Sequence, residues 1–202
     1  MTKLRNMRNV RLTIPFYSTY GTNHKMATIA AEVAEETGAE VRLRRCEETA
    51  PDEVVNGQEK WKEQRDRMAD IPVVKPDDLE WSNAYLFSAP TRFGSVPSQM
   101  QAFIDTLGPL WEKGALANKA ASAMTSTGTQ HGGQETTLTG LYVAFMHWGA
   151  VIVPPGYTDE VVFELGNPYG TSAIADEVDE TVQKMIRHQT SRVVEIAGKL
   201  AA

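Results

Sequence analysis

The chain of 202 residues predicts a doubly wound α/β domain: a parallel sheet covered by helices on both faces. Three observations point there. Apolar, β-forming segments alternate with segments of helical period from Val10 to Leu200. The central segment Ala84–Ala89 (A-Y-L-F-S-A) is almost continuously apolar, as a strand covered on both faces must be. Polar, glycine-bearing loops follow the first, third and fourth strands.

Taken in order, Val10–Tyr17 reads as the first strand, stopped by Ser18-Thr19-Tyr20-Gly21. From Met26 the spacing of Met26, Ile29, Ala30, Val33 and Ala34 is helical, and Gly38 is a left-handed cap. Glu40–Leu43 is a short second strand. The stretch 46–76 is a polar insertion with one helix around Gln58–Met68; such an insertion can carry a binding or assembly role. Ala84–Ala89 is the third strand. Pro97 suits the first position of the next helix, whose buried stripe is Met100, Phe103, Ile104 and Leu107. Lys119–Thr125 is the fourth strand, Thr136–Trp148 a helix and Ala150–Val153 the fifth strand. Asp176–Leu200 closes the chain as a long helix with Val178, Val182, Met185, Ile186, Val193 and Ile196 inward. Five strands, each followed by a helix, imply right-handed crossovers and one domain over residues 1–202. Pro15 is out of place in this scheme, because proline removes a ladder donor from the first strand.

Charge and composition exclude several classes. A net charge of −6 weighs against nucleic-acid binding, which needs clustered Lys and Arg. Lys3, Arg5, Arg8 and Arg11 superficially resemble the start of a secretory signal, but the apolar stretch after them is short and no small-residue cleavage site follows. No apolar run approaches the roughly 20 residues that span a bilayer. The single cysteine, Cys46, excludes an intrachain disulfide and reads as a half-buried filler rather than a reactive thiol. His24, His131, His147 and His188 are dispersed, so no metal site is expected. The expected location is the cytoplasm, without membrane insertion.

In open parallel sheets, ligands bind beyond the carboxyl ends of the strands. The loop Ser18-Thr19-Tyr20-Gly21-Thr22-Asn23 offers hydroxyls, amide N–H groups and a helix N-terminus, a cradle for a phosphate that requires no Lys or Arg. It is neither a P-loop nor a dinucleotide turn. Alone, it reads equally well as an N-capping turn. Thr91, Arg92 and Phe93 follow the apolar central strand, where a tight turn with a solvated Arg is the plainer reading. The loop Ser126-Thr127-Gly128-Thr129-Gln130-His131 has glycine enough for close approach to a planar ligand, or is simply a flexible linker. Three such loops at three strand ends argue together for one ligand.

The motifs Y-S-T-Y-G-T-N, A-P-T-R-F-G, F-I-D-T-L-G-P-L-W, S-T-G-T-Q-H-G-G-Q-E-T-T, H-W-G-A-V-I-V-P-P-G-Y and G-N-P-Y-G run in order from about residue 10 to 172. Together they resemble the WrbA family of FMN-dependent NAD(P)H:quinone oxidoreductases. That resemblance implies a flavodoxin-like fold with strand order 2-1-3-4-5, FMN as cofactor, and a homotetramer. It implies two-electron transfer from NAD(P)H to a quinone, the two substrates taking turns at one place on the flavin, with the protein supplying orientation and hydrogen bonds. It puts the FMN phosphate at Ser18, Thr19, Tyr20, Gly21, Thr22 and Asn23, and the isoalloxazine along Thr91, Arg92 and Phe93. Ser126, Thr127, Gly128, Thr129, Gln130 and His131 would wrap the pyrimidine edge and ribityl chain. His147 would approach the flavin, Tyr20 the nicotinamide and Trp111 the quinone. Without the resemblance, His147 reads as a packed helix-end histidine and Trp111 as a core or interface aromatic.

Two features depart from the family pattern. Gln130-His131 lengthens the third loop by one residue, and Thr171-Ser172-Ala173-Ile174 stands where a glycine-rich stretch is expected, which bears on subunit contacts. The first rival reading is a flavodoxin-type electron carrier, also acidic and FMN-binding, against which Trp111 and the insertions argue. A binding protein with a repressor partner lacks a suitable surface, and a receiver domain would need an acidic cluster at the end of the first strand.

Overall fold

The computed structural model describes residues 9–201; Lys3, Arg5 and Arg8 lie outside them. Strands β1 (Arg11–Phe16), β2 (Glu40–Arg45), β3 (Ala84–Pro90), β4 (Ala120–Thr127) and β5 (Val151–Ile152) form a parallel sheet in the order β2-β1-β3-β4-β5. The expected order is therefore present. All seven residues of β3 are buried, as its sequence demands.

Helices cover both faces because both faces of the strands are apolar. On one side, Leu12, Ile14 and Phe16 pack with Met26 and Ala30 of α1 (Thr22–Glu36) and with Ile186 and Val193 of α9 (Glu180–Leu200). On the other, Tyr85 and Phe87 pack with Met100 and Phe103 of α5 (Ser98–Asp105) and with Leu141, Phe145 and Trp148 along and after α7 (Gln134–His147).

The expectation of five strands needs correction. A sixth, β6 (Ser172–Ile174), pairs with the last three residues of β4, whereas β5 pairs with its first two. The fifth lane of the sheet is thus split, and α8 (Glu160–Leu165) lies in the excursion between its halves. Such short strands carry no readable period. The insertion holds two helices rather than one, α2 (Asp52–Asn56) and α3 (Glu59–Arg67), and a further helix, α4 (Pro76–Trp81), begins at its last residue. Helix α1 begins at Thr22, ahead of its apolar stripe, and α9 begins at Glu180, because the Asp179 carboxylate accepts from the Val182 N–H and caps it there. Pro97 is the N-cap of α5, not its first residue, and a short α6 (Gly108–Glu112) follows.

Pro15 also finds its account. The pairing of β1 with β3 includes Leu12, Thr13 and Phe16 but is interrupted at Ile14 and Pro15, while β1 and β2 pair without a break. In a parallel ladder alternate residues turn their N–H groups to opposite neighbours, and Tyr17, two residues on, donates to Ser88 in β3. The missing donor of Pro15 faces β3 and opens the gap there.

Candidate active site

The carboxyl ends of β1, β3 and β4 meet at one edge of the sheet, and the loops that leave them enclose a cleft of about 360 Å³. Gly21 turns the chain into α1 at φ 110°, a conformation that strains any other residue. There the Ser18 hydroxyl accepts from the Gly21 N–H at 3.1 Å, and the Thr22 hydroxyl accepts from the Asp176 N–H at 3.0 Å. Both oxygens are occupied as acceptors, so each hydroxyl proton is left to donate. Together with the positive end of a 15-residue helix, this is a donor-rich pocket for an anion.

Asn23 does different work. Its side-chain amide donates to the Ser88 hydroxyl at 3.1 Å, and its Oδ1 accepts from the Ser126 hydroxyl at 2.5 Å, all buried. It ties the start of α1 to β3 and β4 and so fixes the distance between the loops. The second and third loops are also locked together. Thr91 Oγ1 accepts from the Gly94 N–H at 3.1 Å and lies 2.8 Å from Thr137 Oγ1. A Cβ on Gly133, at φ 93°, would stand 2.7 Å from the Gly94 Cα.

Of the residues singled out from sequence, Ser18, Thr19, Tyr20, Thr22, Asn23, Thr91, Arg92, Ser126, Thr127 and Gly128 line this cleft. Gly21 shapes it through its backbone alone. Thr129, Gln130 and His131 are exposed beyond it, and Phe93, at φ 52°, is fully exposed. Pro90, which opens the second loop, lines it too, and sequence reading missed Lys60, Ala175 and Asp176, which complete it. Lys60 belongs to the insertion, whose docking no local pattern announces; Asp176 falls in a stretch whose sequence reads as the closing helix, which starts only at Glu180.

The insertion is fixed beside the cleft by two polar anchors. The half-buried Glu48 carboxylate accepts from Tyr17 Oη at 2.9 Å, Trp61 Nε1 at 3.0 Å and Gln99 Nε2 at 2.6 Å. Burial pushes its carboxyl up, but hydrogen bonds from the Ala50 N–H, Gln99, Tyr17 and Trp61 outweigh it and hold it below the usual range. Burial, chiefly, raises the Tyr17 phenol and keeps it neutral. The second anchor joins buried Gln64 to His24 Nδ1 at 3.0 Å, with the imidazole stacked on Phe16. Burial, and then Arg67, lower the His24 pKa.

Trp111 and His147 come together, but elsewhere. Helix α7 starts at the cleft and runs back to the opposite edge of the sheet, where the Asn118 N–H, just ahead of β4, donates to the Gly149 carbonyl at 2.9 Å. The eight residues of β4 put about 25 Å between that edge and the cleft. There Trp111 and His147 border a shallow cavity of about 270 Å³ with Ile104, Leu107 and Trp148. Neither reaches the cleft of its own chain. Among the described residues, no three His, Cys, Asp or Glu side chains converge as metal ligands.

The sheet order and the position of the cleft define a flavodoxin-like α/β protein. Comparison with solved structures agrees: a WrbA-like flavodoxin from Agrobacterium tumefaciens superposes with a TM-score of 0.65 at 20% identity, over 94% of this chain and 98% of that one. The sequence pattern of the NADPH-dependent FMN reductase family matches residues 18–159, and the chain belongs to that family. FMN is its flavin, and the hydroxyl cradle with its left-handed glycine suits the phosphate of that group. Among relatives, an NAD(P)H dehydrogenase (quinone) of Deinococcus radiodurans is 55% identical over 194 residues, covering 95% of this chain and 97% of that one. Another of the same name, from Caulobacter vibrioides, is 40% identical over 202 residues, covering 94% and 98%.

Proposed function

We propose that this chain catalyses the two-electron reduction of quinones by NAD(P)H, with FMN held in the cleft beyond β1, β3 and β4. The observation that carries the reading is the cradle at the start of α1, where two hydroxyls accept from fixed backbone N–H groups and leave their protons for a phosphate. The names of the relatives supply the substrates.

Bound FMN supplies the hydride-accepting and hydride-donating chemistry. Ser18, Thr22 and the α1 N-terminus orient its phosphate. Thr91, Arg92 and Ser126–Gly128 border the remainder, held at fixed separation by Asn23 and by the contact of Gly133 with Gly94. The exposed Tyr20 ring stands at the mouth, its hydroxyl donating to Gln58 at 2.7 Å, where it can cover an entering nicotinamide. NAD(P)H and quinone use that mouth in turn. Trp111 and His147 meet the flavin of a neighbouring copy in a homotetramer, since they cannot meet their own. A reaction fed by NAD(P)H fits work in the cytoplasm.

Two-substrate kinetics test the reading. Varying NAD(P)H at several fixed quinone concentrations should give parallel double-reciprocal lines. A protein that binds FMN but oxidises NAD(P)H only when a separate reductase is added would be an electron carrier instead.

A further inference from the structure

Two cations line the cleft, Arg92 and Lys60. Arg92 is committed to the protein: Nη2 donates to Thr19 Oγ1 at 2.7 Å and Nη1 to the Thr91 carbonyl at 2.9 Å. Lys60 makes no ion pair among the described residues, although it sits on α3 with Glu63; that carboxylate lies 3.7 Å from Arg67 instead. The same end of the cleft carries a carboxylate. Asp176 adopts φ 66°, with its N–H fixed on the Thr22 hydroxyl, so its position follows the cradle itself. Lys60, Asp176 and Tyr20 line both the cleft and an adjoining recess of about 220 Å³, which places them at the junction of the two.

A phosphate in the cradle therefore shares that end of the cleft with the Asp176 carboxylate. The hydroxyls there are neutral, and a helix end offers about half a charge. We infer that Lys60, delivered by the insertion, is the counter-charge for the flavin phosphate, and that α3 is thereby a further wall of the phosphate site. The helix is pinned in the turn that follows this residue, by Trp61 on Glu48 and by Gln64 on His24, each at 3.0 Å. That pinning gives the insertion a ligand-binding role, and it rests on the assignment of FMN to this cleft.

The test compares FMN with riboflavin, which lacks the phosphate, by flavin-fluorescence titration of the apoprotein. Lys60→Met should weaken FMN about tenfold, the scale of one hydrogen bond to a charged group, and leave riboflavin unchanged. Lys60→Arg should restore most of the FMN affinity. Added salt should weaken FMN binding more in the wild type than in Lys60→Met. Unchanged FMN affinity in Lys60→Met, or equal losses of FMN and riboflavin, overturns the inference. Ser18→Ala separates the two levels. If it weakens FMN while Lys60→Met does not, the cradle stands and the role of Lys60 falls; if neither matters, the phosphate lies elsewhere and both fall.

Discussion

The indole N–H of Trp111 donates to the main-chain carbonyl of His147 at 3.0 Å, joining the ends of α6 and α7 at the sheet edge remote from the cleft. Exposed Trp111, Val143 and Met146 make this edge an apolar surface, of the sort that marks an interface. Dilution should therefore abolish quinone reduction before it releases FMN. Trp111→Ala should raise the quinone KM or lower turnover with little change in FMN affinity, and His147→Ala should leave FMN bound but alter turnover. Light scattering alongside specific activity decides the matter; a fully active monomer would defeat the assignment.

Ser18→Ala and Thr22→Ala should each weaken FMN by about 1–2 kcal/mol, as expected for losing a hydrogen bond to a charged group. Each change also strips an acceptor from a backbone N–H, that of Gly21 or Asp176. Riboflavin titration separates the effects. Losses confined to FMN identify the phosphate donors, whereas losses shared with riboflavin would mean that the loop had merely loosened.

The docking of α3 should weaken in acid in two stages. His24 titrates below its ordinary 6.5 in the folded chain, so the unfolded chain takes up the proton first. Its contribution is complete above about pH 6.5 and declines as pH falls through the folded value. Glu48 is likewise depressed below its ordinary 4.5, and its contribution declines as pH falls below that point. Hydrogen exchange of the α3 amides against pH would follow both stages, and Glu48→Gln should cost about 1–2 kcal/mol even at neutral pH. Protection factors of those amides that do not vary with pH, once the intrinsic rate is divided out, would refute the two-anchor account.

Gly133→Ala should damage the cleft rather than the sheet. The new methyl would meet the Gly94 Cα at 2.7 Å from a backbone at φ 93°, so the second and third loops must part. A loss of about 1–3 kcal/mol in stability, with a larger fractional loss of FMN affinity than of riboflavin-independent measures such as helix content, is expected. Thermal unfolding by circular dichroism and flavin titration would check it.

The sheet was legible where burial dictates composition. A-Y-L-F-S-A could be little other than a central strand, and the α9 stripe from Val182 to Val193 has an unmistakable period. Most of the cleft was legible because its residues lie in loops directly after strands. Lys60 was not, because its place depends on Glu48 and Gln64, which contact residues far away in sequence. Nor was the separation of Trp111 and His147 from the cleft, which follows from the direction of α7 and not from any residue type. Phe93 looked like a wall for a flat ring, but its backbone at φ 52° turns it outward.

The divided fifth lane has one more consequence. Ile152 pairs with Ala121 and Ser172 with Thr125, so a continuous strand would need three residues where the chain uses nineteen. The surplus is a cassette with its own small apolar cluster, Val161 and Val162 on Met185, and it displays Tyr157 and Phe163 to solvent. Tyr157 and Phe163 lie away from the residues that pair with β4, so this surface can be rewritten, or exchanged for another, without touching the pairs beside the cleft.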